Sequence, residues 1–283
     1  RQRAVSATRL VLVPTPIGNL ADMTHRAVAE LRGADVVAAE DTRRSRVLLD
    51  HYGVTTRLER LDAHTIAARA PALLEAHAHV AFVTDAGSPG ISDPGAELVR
   101  LALDMGATVE ALPGPTALVP AIVLSGLPTA RFTFEGFLPR KGSERARRLA
   151  GIAASGATSV LYEAPQRLAA TLGDLARACG PGRPASVSRE LTKLHEETVR
   201  GPLGELAEAF AGRDVRGEIV VVIGPAPEPP PAAEQRPAEL AEALAGAGVR
   251  GRLLQSALVA LGVPRNEAYR LAIAAPGADS PKE

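Results

Sequence analysis

The chain has 283 residues, with 32 basic and 32 acidic side chains and no net charge. That length leaves room for two domains, and the neutral balance excludes nucleic-acid binding through a bulk basic excess, so any phosphate-binding surface must be a local patch. Hydrophobic residues reach 46% but aromatics only 3%, with no Trp, which leaves Ala, Val, Leu and Ile to build the core.

The opening RQRAVSATR lacks the apolar core of a signal peptide and reads as a frayed start. Arg9–Val13 reads as a buried strand, His25–Arg32 as a helix, Asp35–Ala39 as a strand and Thr42–Tyr52 as a helix. A weak strand near Thr56–Leu61, a helix near Ile66–His77, a strand at Val80–Val83, a helix at Ala96–Met105 and a strand at Thr108–Leu112 follow. Strands alternating with helices predict a mostly parallel sheet over residues 1–118. The longest apolar run, near Ala117–Leu127, is broken by Pro120 and Ser125 and is too short to cross a membrane.

A second α/β domain is expected over 119–224. Arg131–Phe137 alternates as a half-buried strand does, Glu144–Ala154 is helical, Ser159–Tyr162 is a strand and Pro165–Ala178 is helical. Cys179, the single cysteine, reads as a small buried hydrophobe in a helix; it excludes an internal disulfide and a cysteine-rich metal site and fits a reducing cytoplasm. Ala185–Glu190, Thr198–Gly201 and Glu218–Ile223 read as strands, and their tighter spacing predicts a mixed or antiparallel sheet. Pro225–Pro237 is a proline-rich, semi-rigid linker, and 238–283 reads as two or three short helices too small to bury much alone.

Three loops dense in Gly, Pro and small polar residues follow predicted strands of the first domain: Val13–Leu20 (VPTPIGNL), Asp85–Gly95 (DAGSPGISDPG) and Pro113–Ala117 (PGPTA). Ligands of doubly wound sheets sit outside the carboxyl ends of the strands, where such loops lie. Neither G-x-G-x-x-G after a strand nor G-x-x-x-x-G-K-[ST] occurs, which disfavours a dinucleotide dehydrogenase and a P-loop phosphotransferase.

The ordered series VPTPIGNL, AEDTRRSRVLL, DAGSPGISDPG, PGPTA, FEGFLPRKG, YEAPQR, SRELTKLHEE and GEIVVVIG resembles the ribosomal RNA small subunit methyltransferase I family, the 2′-O-ribose branch of the tetrapyrrole methylase superfamily. The likeness runs from about Leu10 to Gly224, with a C-terminal piece at Arg265–Ala272. It implies a two-domain α/β fold of the class III methyltransferase type with a small helical appendage. It also implies S-adenosylmethionine bound between the domains, a cytidine ribose in the decoding region of small-subunit (16S) rRNA as substrate, and a cytoplasmic homodimer. Many tetrapyrrole enzymes carry G-x-G-P-G-D in the first loop; PTPIGNLAD here favours the rRNA branch. By motif match, Pro14, Asp85, Gly87, Ser88, Ile91, Pro115, Thr116 and Ala117 should line the methyl-donor pocket from the first domain. Tyr162, Leu191 and the Gly217–Glu218 turn should close it from the second.

The donor's methyl is already activated, so positioning supplies much of the rate and no metal is required in principle; the six histidines are scattered. A general base would assist a ribose hydroxyl. Glu163 and Glu190 are the best-placed carboxylates, and Lys193 could serve if burial depressed its pKa or could instead hold a phosphate. Arg189 could bind phosphate or orient Glu190. The RNA footprint is expected at Arg43, Arg44 and Arg46 on one helix and in the dense basic stretch Arg140, Lys141, Arg145, Arg147 and Arg148. The competing readings are a methylase acting on a tetrapyrrole or other small molecule, and a non-catalytic RNA-binding assembly factor.

Overall fold

The structure, a computed structural model, describes residues 8–227 and 237–275. Contacts divide the chain into two units, Arg1–Ala226 and Pro227–Glu283.

Five strands, β1 (Arg9–Leu12), β2 (Val36–Ala39), β3 (Leu58–Arg60), β4 (His79–Val83) and β5 (Thr108–Ala111), form a parallel sheet in the order β3-β2-β4-β1-β5. The helices between them are α1 (His25–Gly33), α2 (Thr42–His51), α3 (Ile66–Ala76) and α4 (Gly95–Asp104). The central strands β1, β2 and β4 read as largely apolar runs because both their faces are covered, while the edge strands β3 (LER) and β5 (TVEA) carry charge. Leu10, Val80 and Phe82 turn to one face, against Ile66, Leu74 and Leu98 of α3 and α4. Val11, Ala81 and Val83 turn to the other, against Ala27 and Leu31 of α1 and Leu49 of α2.

Next comes α5 (Leu118–Ser125), a helix where the sequence shows only an apolar run. LVPAIVLS has no polar face, so it carries no helical period, and Pro120 sits in the first turn, where its missing N–H costs nothing. The second sheet contains β6 (Phe132–Phe137), β7 (Thr158–Glu163), β8 (Pro184–Arg189), β9 (Glu197–Pro202) and β10 (Ile219–Ile223), in the order β6-β7-β10-β8-β9. Only the β6–β7 pair is parallel, so the sheet is mixed. Helices α6 (Ser143–Ala154), α7 (Leu168–Cys179) and α8 (Leu203–Phe210) cover one face. The Pro165–Arg167 start of the helix expected over Pro165–Ala178 is a separate 3-10 turn. Helix α8, where no element is expected from the sequence, is only eight residues long, although Leu203, Leu206 and Phe210 mark a helical stripe. Strand β10 shows the period of two that fixes register: Ile219, Val221 and Ile223 enter the helix-covered core, while Val220 and Val222 face the opposite way.

Most of the expected proline-rich linker lies outside the described residues. Beyond it α9 (Pro237–Gly246), α10 (Gly251–Ala260) and α11 (Arg265–Ala274) enclose a core of their own around Leu254, Leu258 and Ala268. This segment buries more than its length suggests, because alanine faces let short helices approach closely.

One expected phosphate contact is corrected here. Arg145 is 9% exposed; its guanidinium donates to Asp174 at 2.6 and 2.9 Å, to Thr171 Oγ1 at 3.1 Å and to the Pro139 carbonyl at 3.0 Å. It fastens α6 to α7, which a linear basic stretch does not reveal. Breaking a buried pair strands the remaining partners, so Arg145→Ala should lower the unfolding free energy by about 2–3 kcal/mol. Arg147→Ala, at an exposed position, should stay within about 0.5 kcal/mol. Urea denaturation of both variants checks this.

Candidate active site

All strands of the first sheet run parallel, so the loops after β1, β4 and β5 gather at one end. Backbone pairing joins the first two: Thr15 and Gly87 exchange N–H···O bonds of 3.0 and 2.9 Å. The Ser88 hydroxyl donates to the Pro115 carbonyl at 2.9 Å and joins the second loop to the third. The second loop winds around the Asp93 carboxylate, which accepts from the amides of Gly90 (2.8 Å), Gly95 (2.7 Å) and Ile91 (3.2 Å). These loops and α5 rest on the free face of the second sheet, where Ile17, Ala86 and Ala117 share an apolar core with Val160, Val220 and Val222.

A cleft of ≈ 280 Å³ opens beside that core, near the lower end of the roughly 300–1,000 Å³ common for small-molecule sites. Of the residues expected by motif, Gly87, Ser88, Ile91, Thr116, Ala117, Tyr162, Gly217 and Glu218 line it. Four do not. Pro14 packs beneath Gly114, Leu191 is buried in the shared core, Pro115 lines an adjoining hollow, and Asp85 turns to Arg44 at 2.9 Å. Ile17, Ala86, Phe137, Pro165 and Val220 also line the cleft. Ile17 and Ala86 lay inside the expected loops; Phe137 was hidden by a register shift.

That shift is a β-bulge between Phe134 and Gly136. Simple alternation puts Phe134 and Phe137 on opposite faces. The extra residue pairs Phe134 with Val160 and Phe137 with Tyr162, so both rings flank Tyr162, edge-on, at 4.9 and 5.8 Å between centroids. Bulges re-aim side chains in this way. Arg148, expected to meet RNA, holds the bulged Glu135 by its carboxylate at 2.8 Å. Burial raises the Tyr162 phenol above its usual pKa, partly offset by a hydrogen bond with Thr116.

The turn after β8 stands behind the second side, joined to the cleft-lining Glu218. Glu190 and Thr192 adopt left-handed backbone, φ 51° and 67°, a conformation that costs side-chain-bearing residues about 1–3 kcal/mol and clusters at functional sites. Lys193 Nζ donates to Glu190 Oε1 at 2.9 Å and to Glu218 Oε2 at 3.2 Å, and its stem lies across Gly18 of the first loop, where a side chain would collide with it. Gly217 (φ 88°) lies under the Glu190 carboxylate with no room for a Cβ. The condition under which Lys193 could serve as a base is not met: burial does pull its pKa downward, but the bond to Glu190 and the charge of Glu218 outweigh it and the pKa is raised. The same bond to Lys193 lowers Glu190, against the opposing effect of burial.

Glu163 is 2% exposed and both its oxygens are engaged: Oε1 accepts from the Ala164 amide (2.8 Å) and faces Arg167 (3.3 Å), while Oε2 accepts from Thr171 (2.6 Å). Burial in these contacts makes it an anchor of the second sheet. Glu190 Oε2, by contrast, has no partner among the described residues.

Of the other basic residues expected at RNA, Arg43 pairs with Asp41 at 2.9 Å, Arg189 with Glu197, and Arg147 stands exposed 3.9 Å from Glu144. Arg140 and Lys141 are exposed in the turn after β6. Among the described residues no group of three His, Cys, Asp or Glu side chains is placed to hold a metal ion, and no helix is long and apolar enough to cross a membrane.

A family model described as Tetrapyrrole (Corrin/Porphyrin) Methylases matches residues 9–207. A "Ribosomal RNA small subunit methyltransferase I" of Mesorhizobium japonicum is 48% identical over 77% of this chain and 75% of its own. A protein of the same name from Escherichia coli O157:H7 is 39% identical over 95% and 96%. Among solved structures, the uroporphyrin-III C-methyltransferase of Thermus thermophilus complexed with S-adenyl homocysteine aligns with a TM-score of 0.55 at 22% identity, over 77% of this chain and 97% of its own. A cobalt precorrin-4 methyltransferase aligns with a TM-score of 0.58 at 18% identity, over 76% and 94%.

The Glu190–Lys193 pair has a definite pH window. A lowered carboxylate contributes stability above its unfolded pKa, about 4.3, that is lost as pH falls through the folded value; a raised lysine contributes below about 10.4 and loses it as pH rises further. Glu190→Gln should therefore melt at a lower temperature than the parent between about pH 6 and 9, and the gap should close below about pH 4. Paired thermal scans across that range test the assignment.

Proposed function

We propose, on the premise that the chain belongs to the tetrapyrrole methylase family and within it to the ribosomal RNA small subunit methyltransferase I proteins, that it transfers the methyl group of S-adenosylmethionine to the 2′ oxygen of a cytidine ribose in small-subunit rRNA. The observation that carries the reading is the cleft between the two sheets, with Tyr162 on one wall and Ser88 and Thr116 on the other.

Those residues suit the donor's chemistry. Ile17, Ala117, Val220 and the Tyr162 ring offer apolar surface to a flat base, while the Ser88 and Thr116 hydroxyls and the 86–88 backbone offer polar partners to a sugar and an amino acid. When bound, S-adenosylmethionine supplies a methyl on a positively charged sulfur, so in-line positioning does much of the work. Tyr162, braced by Phe134 and Phe137, sets one wall of that alignment.

The proton of the acceptor hydroxyl goes to Glu190 Oε2 in this reading. Glu163 has no free oxygen, and Lys193 is held protonated by two carboxylates. A lowered carboxylate is a weak base toward a neutral hydroxyl. It suffices once the oxygen–carbon bond is forming, because the hydroxyl proton then becomes strongly acidic. Lys193 keeps Glu190 ionised and fixed in place until that moment.

Incubation with labelled donor and, separately, isolated small subunits, protein-free rRNA and a tetrapyrrole precursor should label RNA alone, at a ribose; label in the tetrapyrrole overturns the reading. Tyr162→Ala should weaken donor binding at least tenfold by calorimetry. Glu190→Gln should lower kcat by about 10²–10⁴ while the donor's Kd changes less than threefold.

A further inference from the structure

A second groove, ≈ 600 Å³, lies at the outer edge of the first sheet, away from the cleft. Five arginines from three stretches of chain line it: Arg43 and Arg46 on α2, Arg57 just before β3 and Arg60 at its end, and Arg69 in α3. Three carboxylates accompany them. Asp41 pairs with Arg43 at 2.9 Å, Glu59 with Arg57 at 3.0 Å and with Arg69 at 3.7 Å, and Asp62 with Arg60 at 2.7 Å. Ordinary surface ion pairs leave both members equally wet and amount to a solvated face. Here the layers are separated. The side chains of Arg57 and Arg60 are 71% and 65% exposed, whereas Glu59 and Asp62 are 19% and 10% exposed. Asp62 spends its Oδ1 on the amides of His64 and Thr65. Arg46 is exposed and has no hydrogen-bond or ion-pair partner among the described residues.

The acids therefore act as a buried footing that aims guanidiniums outward. Each guanidinium has five donors, and one carboxylate engages at most a pair of them, so the outward donors remain for a second anion. In a chain with no net charge, five guanidiniums over three recessed carboxylates form a local positive strip. Its position matters as well. All five strands are parallel, so Arg60 at the carboxyl end of β3 and the start of α2 after β2 belong to the end of the sheet that carries the cleft loops. Strand β3 stands two places from β4, whose loop lines the cleft, a separation of about 10 Å at ~4.8 Å per strand. Arg44, one residue from Arg43, holds Asp85 of that loop at 2.9 Å, so one helical turn connects groove and cleft.

We infer that this groove binds the phosphodiester backbone of the substrate RNA a few nucleotides from the ribose that enters the cleft. The inference rests on the RNA-methylating reading above. Forked guanidiniums match phosphate geometry, and backbone contacts position a nucleic acid without reading its sequence. The sequence marked only the α2 arginines; Arg57, Arg60 and Arg69 join them through the fold.

The test uses Arg46→Ala/Arg57→Ala and its control Arg46→Lys/Arg57→Lys in the full-length protein, with isolated small ribosomal subunits. The alanine pair should raise KM for subunits at least tenfold, leave kcat and the donor's Kd within twofold, and reduce the slope of log affinity against log salt by about two. The lysine pair should keep most of the slope, since the charges remain. Thermal melting of both should match the parent, because these side chains are exposed. Unchanged KM and slope in the alanine pair would overturn the groove, even if the parent methylates rRNA. A parent that binds subunits with a steep slope reduced in the alanine pair, yet methylates none of their RNA, would leave the groove standing and sink the proposed reaction instead.

Discussion

The contact between the carboxyl-end loops of the first sheet and the bare face of the second governs the rest of this molecule. Ile17, Ala86 and Ala117 are loop residues, yet they pack on Val160, Val220 and Val222 as core residues do. Loops usually stay at the surface because their backbone needs water. These satisfy one another instead, through the Thr15–Gly87 pair, the Ser88 hydroxyl and the Asp93 carboxylate. Freed of water, the loops can be half of a core and one wall of a cleft at once. The other wall follows from strand alternation, because β10 cannot send Ile219, Val221 and Ile223 into the helical core without sending Val220 and Val222 toward the loops.

The apolar contact positions the halves, and a few charges fix the rim. Lys193 spans from Glu190 and Glu218 on the second sheet to Gly18 on the first loop. The price of the two left-handed residues in that turn is offset by the bonds it allows: the Glu190 amide to the Glu218 carbonyl, and the Lys193 amide to the Glu190 carbonyl. The bulge in β6 plays the matching part opposite. Arg148 anchors the extra residue, and the register change sends Phe137 to Tyr162. Both devices lie at the cleft, where local irregularity aims a side chain that regular structure would send elsewhere.

The sequence revealed the fold to the extent that periodicity could carry it. The parallel first sheet was legible because its central strands β1, β2 and β4 are largely apolar and its strands alternate with amphipathic helices, and the mixed second sheet because its strands follow one another closely. Helix α5 was not legible, since a segment buried on most sides has no polar stripe to set its period. The glycine-rich loops were legible as more than free turns, which have no need of so many glycines and prolines, and they line the cleft. Which loop residue lines that cleft was not. Pro14 and Asp85 stand beside lining residues but turn to Gly114 and Arg44, and side-chain direction in an irregular loop depends on partners distant in sequence. The bulge defeated simple alternation for the same reason.

Charge was the least legible property, and it is where composition misleads most. A run such as Arg140–Arg148 looks like one basic patch, yet Arg145 is buried between two helices and Arg148 holds a bulge. Conversely Arg46, Arg57 and Arg69 are far apart in the chain and converge on one groove. Net charge sums side chains regardless of depth, whereas a polyanion meets only the outer ones. Glu59 and Asp62 cancel Arg57 and Arg60 in the composition, but from beneath they serve to hold those arginines outward. A protein of zero net charge can therefore present a positive strip, and burial decides which half of each ion pair an approaching phosphate meets first.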